Sequence, residues 1–399
     1  MTCHVHGFLP YFYVPCPSGL DDGNGGVADF FDHLQRRMRD SDGSPGTQLH
    51  KIELVQRTNI YGFVPKHTQQ QYLRITCSSP NSMNNAKRIL ESGFTFGQSY
   101  GIQFATFESN LPFVMRFMVD TKMTGVNWIE LPARKWRLRT AATAISRSQL
   151  ECDINYLDLI SHAPEGAWSD IAPLRVLSFD IECAGRKGIF PEANIDPVIQ
   201  IAAVVTVQGE PAPVIRTVFS LRSCAHIVGA QVLCFEEERE MLQAFGDFFR
   251  IVDPDVVIGY NIFNFDFPYL LDRATAISAR NFSFLGRINE SLTRAKDTTF
   301  SSKAYGTRES KSLNLEGRII FDILQVMQRD HKLRSYSLNS VSAHFLGEQK
   351  EDVPHSIITD LFNGNDETRR RLAVYCLKVP RMTARIVLSL CRTRICRSA

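Results

Sequence analysis

Two short acidic motifs stand out because their carboxylates could hold metal ions. The apolar run LRVLSFDIE ends with Asp180 and Glu182, and the run GYNIFNFDFPYLL contains Asp266 among aromatic residues. Side chains alternate along a strand, so Asp180 and Glu182 point to the same face of the predicted strand. Two carboxylates on a covered strand repel each other and lose hydration, unless a cation or a solvent-filled cleft compensates. Two solvated acids where a strand emerges at a sheet edge would explain this motif without a metal.

Asp266 also has two interpretations. Its place beside Pro268, at the start of a predicted helix, is typical of a residue that caps the helix. Alternatively, it faces a site with Asn261, which could hydrogen-bond a nucleotide, while Phe263 and Phe265 could stack on bases. Three carboxylates from a strand and a strand–helix junction are the composition of a two-cation phosphoryl-transfer site. In such a site, two Mg²⁺ or Mn²⁺ ions lie about 3.5–4 Å apart and promote hydrolysis of a phosphodiester.

The hydrophobic pattern predicts the elements that must position these residues. From residue 174 the order of elements predicts an α/β fold with a central mixed sheet and helices on both faces. The predicted strands cover 174–182, 197–207, 212–221 and 256–260, and the predicted helices cover 234–252 and 267–277. Before this region, short β-like stretches and one helix around Asp29–Arg39 predict a separate, mixed and β-rich domain. Its basic and aromatic stretch Arg134–Arg139 fits either a nucleic-acid contact or a solvated strand edge.

Composition excludes several classes of protein. The chain has 399 residues, enough for at least two domains, and its 44% hydrophobic and 22% charged residues are typical of globular proteins. No apolar run approaches the ~20 residues of a membrane helix, the N-terminus lacks signal-peptide features, and the ten cysteines include no C-x-x-C pair. We therefore expect an intracellular, reduced protein with no membrane contact and no zinc or iron–sulfur motif. The net charge of +3 does not indicate DNA binding, because the last twenty residues contain five arginines and no acid.

Together the motifs resemble the exonuclease region of family B DNA polymerases. FDIE, then N-x-x-x-F-D, then a helix carrying Tyr375 follow the order of that family's three exonuclease motifs. HGFLPYFYVP, GYNIFNFDFPYLLDRA and NDETRRRLAVYCLK look like the delta-type branch, and the resemblance runs from His4 to Lys378. It implies a ribonuclease H-like 3′–5′ exonuclease domain behind a β-rich N-terminal domain. Such a domain proofreads DNA by removing mispaired 3′-terminal nucleotides with two Mg²⁺ ions, or with Mn²⁺.

The resemblance also implies roles for the site residues. Asp180 would contact both metal ions, Glu182 would bind the ion that activates water, and Asp266 would bind the second ion. Tyr375 would orient the attacking water.

On the DNA side, the resemblance places Asn261 and Phe265 against the 3′-terminal nucleotides. Residues 281–318 fall where the family has a β-hairpin, and their seven Lys or Arg against four Asp or Glu fit an exposed ribbon near DNA or a mobile surface loop. The implied partners are a single-stranded or frayed 3′ end of DNA and, in the nucleus, other replicative polymerase subunits. The main docking region for those subunits would be missing from this chain.

The chain departs from the family pattern after Lys378. The position four residues after Tyr375, which holds the family's last metal-binding aspartate, is Val379, and no acid follows it. Pro380 lacks an N–H and clashes with the carbonyl one turn before it, so the helix should fray or kink there. Losing a ligand should reduce activity by more than the ~10–100-fold typical of a lost supporting residue.

The expected organisation is an N-terminal domain at 1–172, an exonuclease domain at 173–378 and a divergent basic tail at 379–399. The abrupt change at the tail resembles a reading-frame or splice change that truncates the protein. Apolar residues of the tail could still cover the sheet, namely Ile386, Val387, Leu388 and Leu390. The D-x-x-S-L-Y-P-S and Y-G-D-T-D-S motifs of the family's polymerase palm do not occur, so this chain should not synthesise DNA. Two functions remain: an impaired exonuclease, or a truncated product that binds single-stranded DNA or a partner without cutting.

Overall fold

The computed structural model describes all residues except 18–19, 21–24, 43–47, 60–68, 97–98, 126, 187, 303–305, 349–352 and 396–399. The chain forms two compact units. The first comprises residues 1–142 and 150–170, and the second comprises residues 143–149 and 171–399. The carboxylates of both acidic motifs belong to the second unit.

The first unit combines small β-sheets with helices. Strand β1 pairs in parallel with β9, so that Thr2 lies opposite Glu151, and this sheet therefore joins the two ends of the unit. A separate core includes Phe12, Phe30 and Leu34. The elements are β1 Thr2–His6, β2 Tyr11–Pro15, α1 Gly26–Asp42, β3 Leu49–Arg57, β4 Gln70–Cys77, α2 Pro80–Ser92, β5 Phe94–Phe96, β6 Ser99–Ile102, α3 Phe113–Thr121, β7 Trp128–Glu130, β8 Trp136–Leu138, β9 Glu151–Asn155 and β10 Ile160–His162.

The second unit is built on a mixed sheet with the strand order β14-β13-β12-β11-β15-β18. Its central strand β11 runs antiparallel to β12 and parallel to β15. The elements are β11 Arg175–Cys183, β12 Val198–Val207, β13 Ile215–Leu221, β14 Gln231–Phe235, α4 Glu238–Val252, β15 Val256–Gly259, α5 Asp266–Ala276, β16 Ala295–Ser302, β17 Gly306–Leu313, β18 Ile319–Asp322, α6 Ile323–Asp330, α7 Leu338–Leu346, α8 His355–Asn363 and α9 Asp366–Ile395.

Helices cover both faces of this sheet, which confirms the predicted α/β class. On one face, α4 and α5 pack against β11 in a core that includes Phe179, Phe245 and Phe267. On the other face, α9 packs Ala373 and Cys376 against β12 and β13. Apolar side chains therefore alternate along the central strands toward two separate cores, as expected for strands buried on both sides.

The start of one helix differs from the sequence prediction. The helix predicted over 234–252 begins at Glu238, because Cys234 and Phe235 form the end of β14 and pair in parallel with Ser220 and Leu221. By contrast, the β-hairpin expected within 281–318 is confirmed: β16 and β17 pair from Ala295 and Leu313 to Ser302 and Gly306. No helix among the described residues is both long and apolar enough to cross a membrane.

The expectation that the last helix would fray at Pro380 was wrong, since α9 continues through Pro380 to Ile395, and a kink at Pro380 stays a prediction. Proline inside a helix costs about 3 kcal/mol, but the following turns bury Met382 and Ile386 almost completely. Each such burial contributes about 1.5–3 kcal/mol, which offsets the proline. The Thr383 hydroxyl also donates a hydrogen bond to the Val379 carbonyl at 2.9 Å.

The tail therefore covers the sheet as its apolar pattern suggested. Ile386 packs with α6 and α7, and Val387, which is half-buried, contacts the same cluster and the cluster at β15. Leu388 is 54% exposed, and the side chain of Leu390 lies outside the described residues.

Candidate active site

Asp180 and Glu182 lie on the α9-facing side of the central strand β11. The Cys376 thiol of α9 lies 3.9 Å from Oδ2 of Asp180 and 3.7 Å from its backbone oxygen. Glu182 is only 7% exposed, and Asp180 is half-buried. The alternative of two solvated acids at a sheet edge is therefore wrong, because β11 is interior in the sheet and covered by a helix.

Asp266 joins these carboxylates from the first residue of α5. Its Oδ1 accepts a hydrogen bond from the backbone N–H of Ile181, the residue between Asp180 and Glu182, at 3.2 Å. The helix cap is Phe265, which makes no side-chain cap bond, so the interpretation of Asp266 as the capping residue is wrong. The sequence motifs, which lie 85 residues apart, meet at one point of the sheet.

The electrostatics of Asp266 are those of a crowded acidic site. Its side chain is 2% exposed. Burial first, and then the Asp180 carboxylate, raise the pKa of Asp266 well above its usual range, while N–H groups of Ile181 and of Asp266 itself partly oppose the shift. Burial and a like charge both disfavour the ionised form, so a cation at this point would stabilise it.

The loop before α5 is held by an aspartate that sequence reasoning missed. Asp322, at the end of β18, is 2% exposed and accepts hydrogen bonds from the backbone N–H groups of Asn261 at 2.8 Å and Phe263 at 3.2 Å. It also caps α6 through the N–H of Leu324. Burial raises the pKa of Asp322, and these backbone donors oppose the shift. An acid that ends an apolar strand directly before a helix was the available signal in the sequence.

The residues expected to bind DNA are all half-buried in this loop. Asn261 has a positive φ of 67°, and its side-chain oxygen accepts a hydrogen bond from Asn264. The Phe265 ring lies 5.5 Å from the ring of Phe190, which is 71% exposed. An aromatic surface therefore adjoins the carboxylates, since Phe265 directly precedes Asp266.

Helix α9 is fixed at its start by a dense set of hydrogen bonds. The Asn365 side chain accepts a hydrogen bond from the N–H of Thr368 at 3.0 Å and so caps the helix. The buried Arg369 side chain donates to the carbonyls of Ser223, Phe362 and Gly364. These contacts set the rotation of the helix that carries the remaining site residues.

Tyr375 and Val379 lie on α9 on either side of the contact between Cys376 and Asp180. Tyr375 is half-buried and packs against the main core. Val379 is 5% exposed, so the position at which the resemblance implies an aspartate is filled by a buried apolar side chain.

The side-chain donor atoms around Asp180 suit the two-cation site that the sequence suggests. One ligand atom from each of Asp180, Glu182 and Cys376 lies within 4.8 Å of the others, and Asp266 adjoins them through Ile181. Oxygen donors and the raised pKa of Asp266 fit a hard divalent ion such as Mg²⁺ or Mn²⁺. The donor set therefore fits metal binding, although α9 contributes no carboxylate to it.

Comparison with known proteins matches this arrangement to two domain families. The family described as DNA polymerase family B, exonuclease domain, matches residues 104–341, more than half of the chain. The family described as DNA polymerase delta catalytic subunit-like, N-terminal domain, matches residues 7–84.

Curated relatives agree. The chain is 54% identical over 380 residues to a DNA polymerase delta catalytic subunit of Oryza sativa subsp. japonica. It is 51% identical over 379 residues to that of Schizosaccharomyces pombe and 50% identical over 386 residues to that of Bos taurus. The first and third matches each cover 95% of this chain, the second covers 94%, and each covers 34% of the relative. The chain thus spans about a third of the length of these relatives.

The fold agrees as well. The structure of the family B DNA polymerase from the hyperthermophilic archaeon Pyrobaculum calidifontis matches with a TM-score of 0.63 and 21% identity, covering 97% of this chain and 41% of that chain. The acidic strand β11 and the junction that carries Asp266 agree with both family matches. The chain therefore belongs to the family B DNA polymerases and corresponds to the N-terminal and exonuclease regions of a delta-type catalytic subunit.

Proposed function

We propose that the second unit is a 3′–5′ exonuclease that hydrolyses the terminal nucleotide of single-stranded or frayed DNA. The observation that carries this proposal is the convergence of Asp180, Glu182 and Asp266 on one point of β11, with the pKa of Asp266 raised by burial and by Asp180. Such a site is poised for cations, which would remove the repulsion between its carboxylates. The match of residues 104–341 to the exonuclease domain of family B DNA polymerases supports the same reaction.

Two Mg²⁺ or Mn²⁺ ions would supply a Lewis acid and an activated water for in-line displacement at phosphorus. The chain's own residues do the rest. Asp180, Glu182 and Asp266 would hold the ions, and the N–H of Ile181 fixes the carboxylate of Asp266 by a hydrogen bond. Tyr375 would orient the attacking water from α9.

The loop held by Asp322 would present the DNA end to the carboxylates. Asn261 would hydrogen-bond the terminal nucleotide, and Phe263 and Phe265 would stack on its bases. The Asp322 carboxylate orients the backbone of this loop through two N–H groups. A loop that is fixed before DNA binds loses less conformational freedom when DNA arrives.

We further propose that Val379 leaves this exonuclease strongly impaired. The side chain is buried and apolar, and α9 brings only the Cys376 thiol to Asp180. This supports a second candidate function, a non-catalytic product that binds single-stranded DNA or a partner protein. By analogy with the relatives, the setting would be DNA replication and repair in the nucleus beside other polymerase subunits.

The test is nucleotide release from a 3′-labelled single-stranded oligonucleotide by the purified chain, in Mg²⁺, in Mn²⁺ and in EDTA. The variant Asp180→Asn removes one carboxylate with little change in volume. The matched control is Glu240→Gln, a neutralised acid that is exposed on α4. Far-UV circular dichroism establishes that each variant folds.

Slow, metal-dependent release that Asp180→Asn abolishes and Glu240→Gln preserves would support the impaired exonuclease. No release, together with tight binding of the same oligonucleotide, would support the non-catalytic alternative. Release that survives Asp180→Asn would refute the site itself.

A further inference from the structure

A buried glutamine lies beside Glu182 and takes no part in the function described so far. Gln200 of β12 is the register partner of Glu182 on β11, and its side chain is completely buried. In antiparallel strands, side chains at paired positions lie on the same face with their Cβ atoms about 4.5–5.5 Å apart. Gln200 therefore adjoins the carboxylate under α9.

The orientation of the Gln200 amide is fixed by a partner that can only accept. Its Nε2 donates a hydrogen bond to the backbone oxygen of Arg369 at 2.9 Å. A carbonyl cannot donate, so the group that faces Arg369 must be the nitrogen. The oxygen Oε1 points away from Arg369 as a result. Arg369 is itself held by the carbonyls of Ser223, Phe362 and Gly364, so this anchor is rigid.

The Oε1 atom is an acceptor without a donor. It is buried and has no hydrogen-bond partner among the described residues. Buried polar atoms are nearly always paired, with protein groups or with ordered water. The neighbouring Glu182 carboxylate cannot supply the missing proton when it is ionised, since it is then an acceptor too. A water molecule can donate to both groups at once.

We infer that Gln200 is a positioning residue: its Oε1 accepts a hydrogen bond from a water molecule that also donates to the Glu182 carboxylate. The water connects Glu182 to the rigid Arg369 anchor. It thereby holds the carboxylate in the orientation that binds a cation. Residues that orient metal ligands in this way typically change metal affinity by about 10–100-fold when they are lost. The inference rests on the proposed function, because it concerns a ligand of the same metal site.

The test measures Mn²⁺ affinity of the full chain by electron paramagnetic resonance of the free ion. Gln200→Met keeps an unbranched side chain of similar length and removes both polar groups. The matched control is Thr217→Val on β13, because Thr217 is also fully buried with an unpaired hydroxyl. Thr217 is the register partner of Ala203, which belongs to the core on the other face. Asp180→Asn reports whether Mn²⁺ binds at the carboxylates at all.

We expect Gln200→Met to weaken Mn²⁺ binding about 10–100-fold, and Thr217→Val to leave it unchanged. A glutamine that only fills space would lower thermal stability without changing Mn²⁺ affinity. Unchanged affinity in Gln200→Met, with affinity lost in Asp180→Asn, would overturn this inference alone. Unchanged affinity in both variants would overturn the proposed function as well.

A crystal structure of the unsubstituted chain with Mn²⁺ provides a second measurement that needs no variant. The inference requires ordered water within hydrogen-bond distance of both Oε1 of Gln200 and the Glu182 carboxylate. An Oε1 atom that contacts only carbon atoms would overturn it, even if Gln200→Met fails to fold.

Discussion

Replacing Val379 with aspartate tests whether the site is impaired by one missing carboxylate. Val379 is 5% exposed and lies three residues after Cys376, whose thiol is 3.9 Å from Asp180 Oδ2. An aspartate there would be buried about one helical turn from the thiol that contacts Asp180. An uncompensated buried charge lowers the free energy of unfolding by about 3–5 kcal/mol. For a unit of this size, each kcal/mol shifts the melting temperature by about 2–4 °C, so we expect a fall of roughly 6–20 °C in EDTA.

Divalent ions should reverse this destabilisation, because they bind the folded carboxylates more strongly than the unfolded chain. With Mg²⁺ present, we expect Val379→Asp to release labelled 3′-nucleotides at least about 10–100-fold faster than the unsubstituted chain. The assays are differential scanning fluorimetry in EDTA and in Mg²⁺, and single-turnover release from a 3′-labelled oligonucleotide.

Two controls separate charge from shape. Val379→Asn has the size of the aspartate without its charge, so Mg²⁺ should raise its melting temperature no more than that of the unsubstituted chain, and it should gain no activity. Combining Val379→Asp with Asp180→Asn should remove the gain. The reasoning is refuted if Val379→Asp folds, binds Mg²⁺ no better than Val379→Asn and releases nucleotides no faster than the unsubstituted chain.

Three further outcomes are expected. Ile386→Ala should lower the free energy of unfolding by about 2–5 kcal/mol in urea titrations, whereas Leu388→Ala, at a side chain that is 54% exposed, should have almost no effect; equal effects would show that the tail does not pack as described. Burial alone would raise the pKa of Asp253, but hydrogen bonds from Arg318 and a second arginine lower it below its usual range. That contribution to stability exists above the ordinary aspartate pKa and disappears as pH falls toward the folded value. The Asp253 side chain is 38% exposed, so solvent screens its ion pairs, and Asp253→Asn should lower the free energy of unfolding by about 1 kcal/mol at neutral pH and flatten the acid side of the stability curve; a parallel downward shift at every pH would contradict this. Asp322→Ala leaves two loop N–H groups without their acceptor, each worth about 1–3 kcal/mol, and should weaken single-stranded DNA binding in fluorescence anisotropy; unchanged affinity would mean that the loop does not hold DNA.

The sheet and the carboxylate site were predictable because each rests on a local pattern. Alternation placed Asp180 and Glu182 on one face of a strand, and the apolar character of that strand implied cover on both sides. The hairpin within 281–318 was also expected, from the family resemblance, and it is present as β16 and β17. Tertiary contacts, in contrast, decided between the open alternatives: the hydrogen bond from Ile181 showed that Asp266 faces β11 and does not cap its helix.

Tertiary contacts also explain the features that the sequence prediction got wrong or did not identify. Pro380 weakens a helix locally. The sequence does not show that Met382 and Ile386 become buried when the helix continues, and this burial offsets the cost of the proline. The helical spacing of CFEEEREM extends the predicted helix to Cys234 and Phe235, the last two residues of β14, because the pairing of β14 with β13 depends on a distant partner. The sequence did not single out Asp322, because its two loop partners lie about 60 residues earlier in the chain.

The pairing of β1 with β9 has a consequence for how the chain folds during synthesis. His4 and Glu151, which form a hydrogen bond across this pair, are separated by 147 residues. At about 5–20 residues per second, the ribosome needs roughly 7–30 s to make that stretch. During this time the backbone of β1 has no β9 to pair with. Pairing between strands so far apart in the sequence is also intrinsically slow. Strand β1 is therefore exposed to chaperones and to mispairing before its sheet with β9 can form.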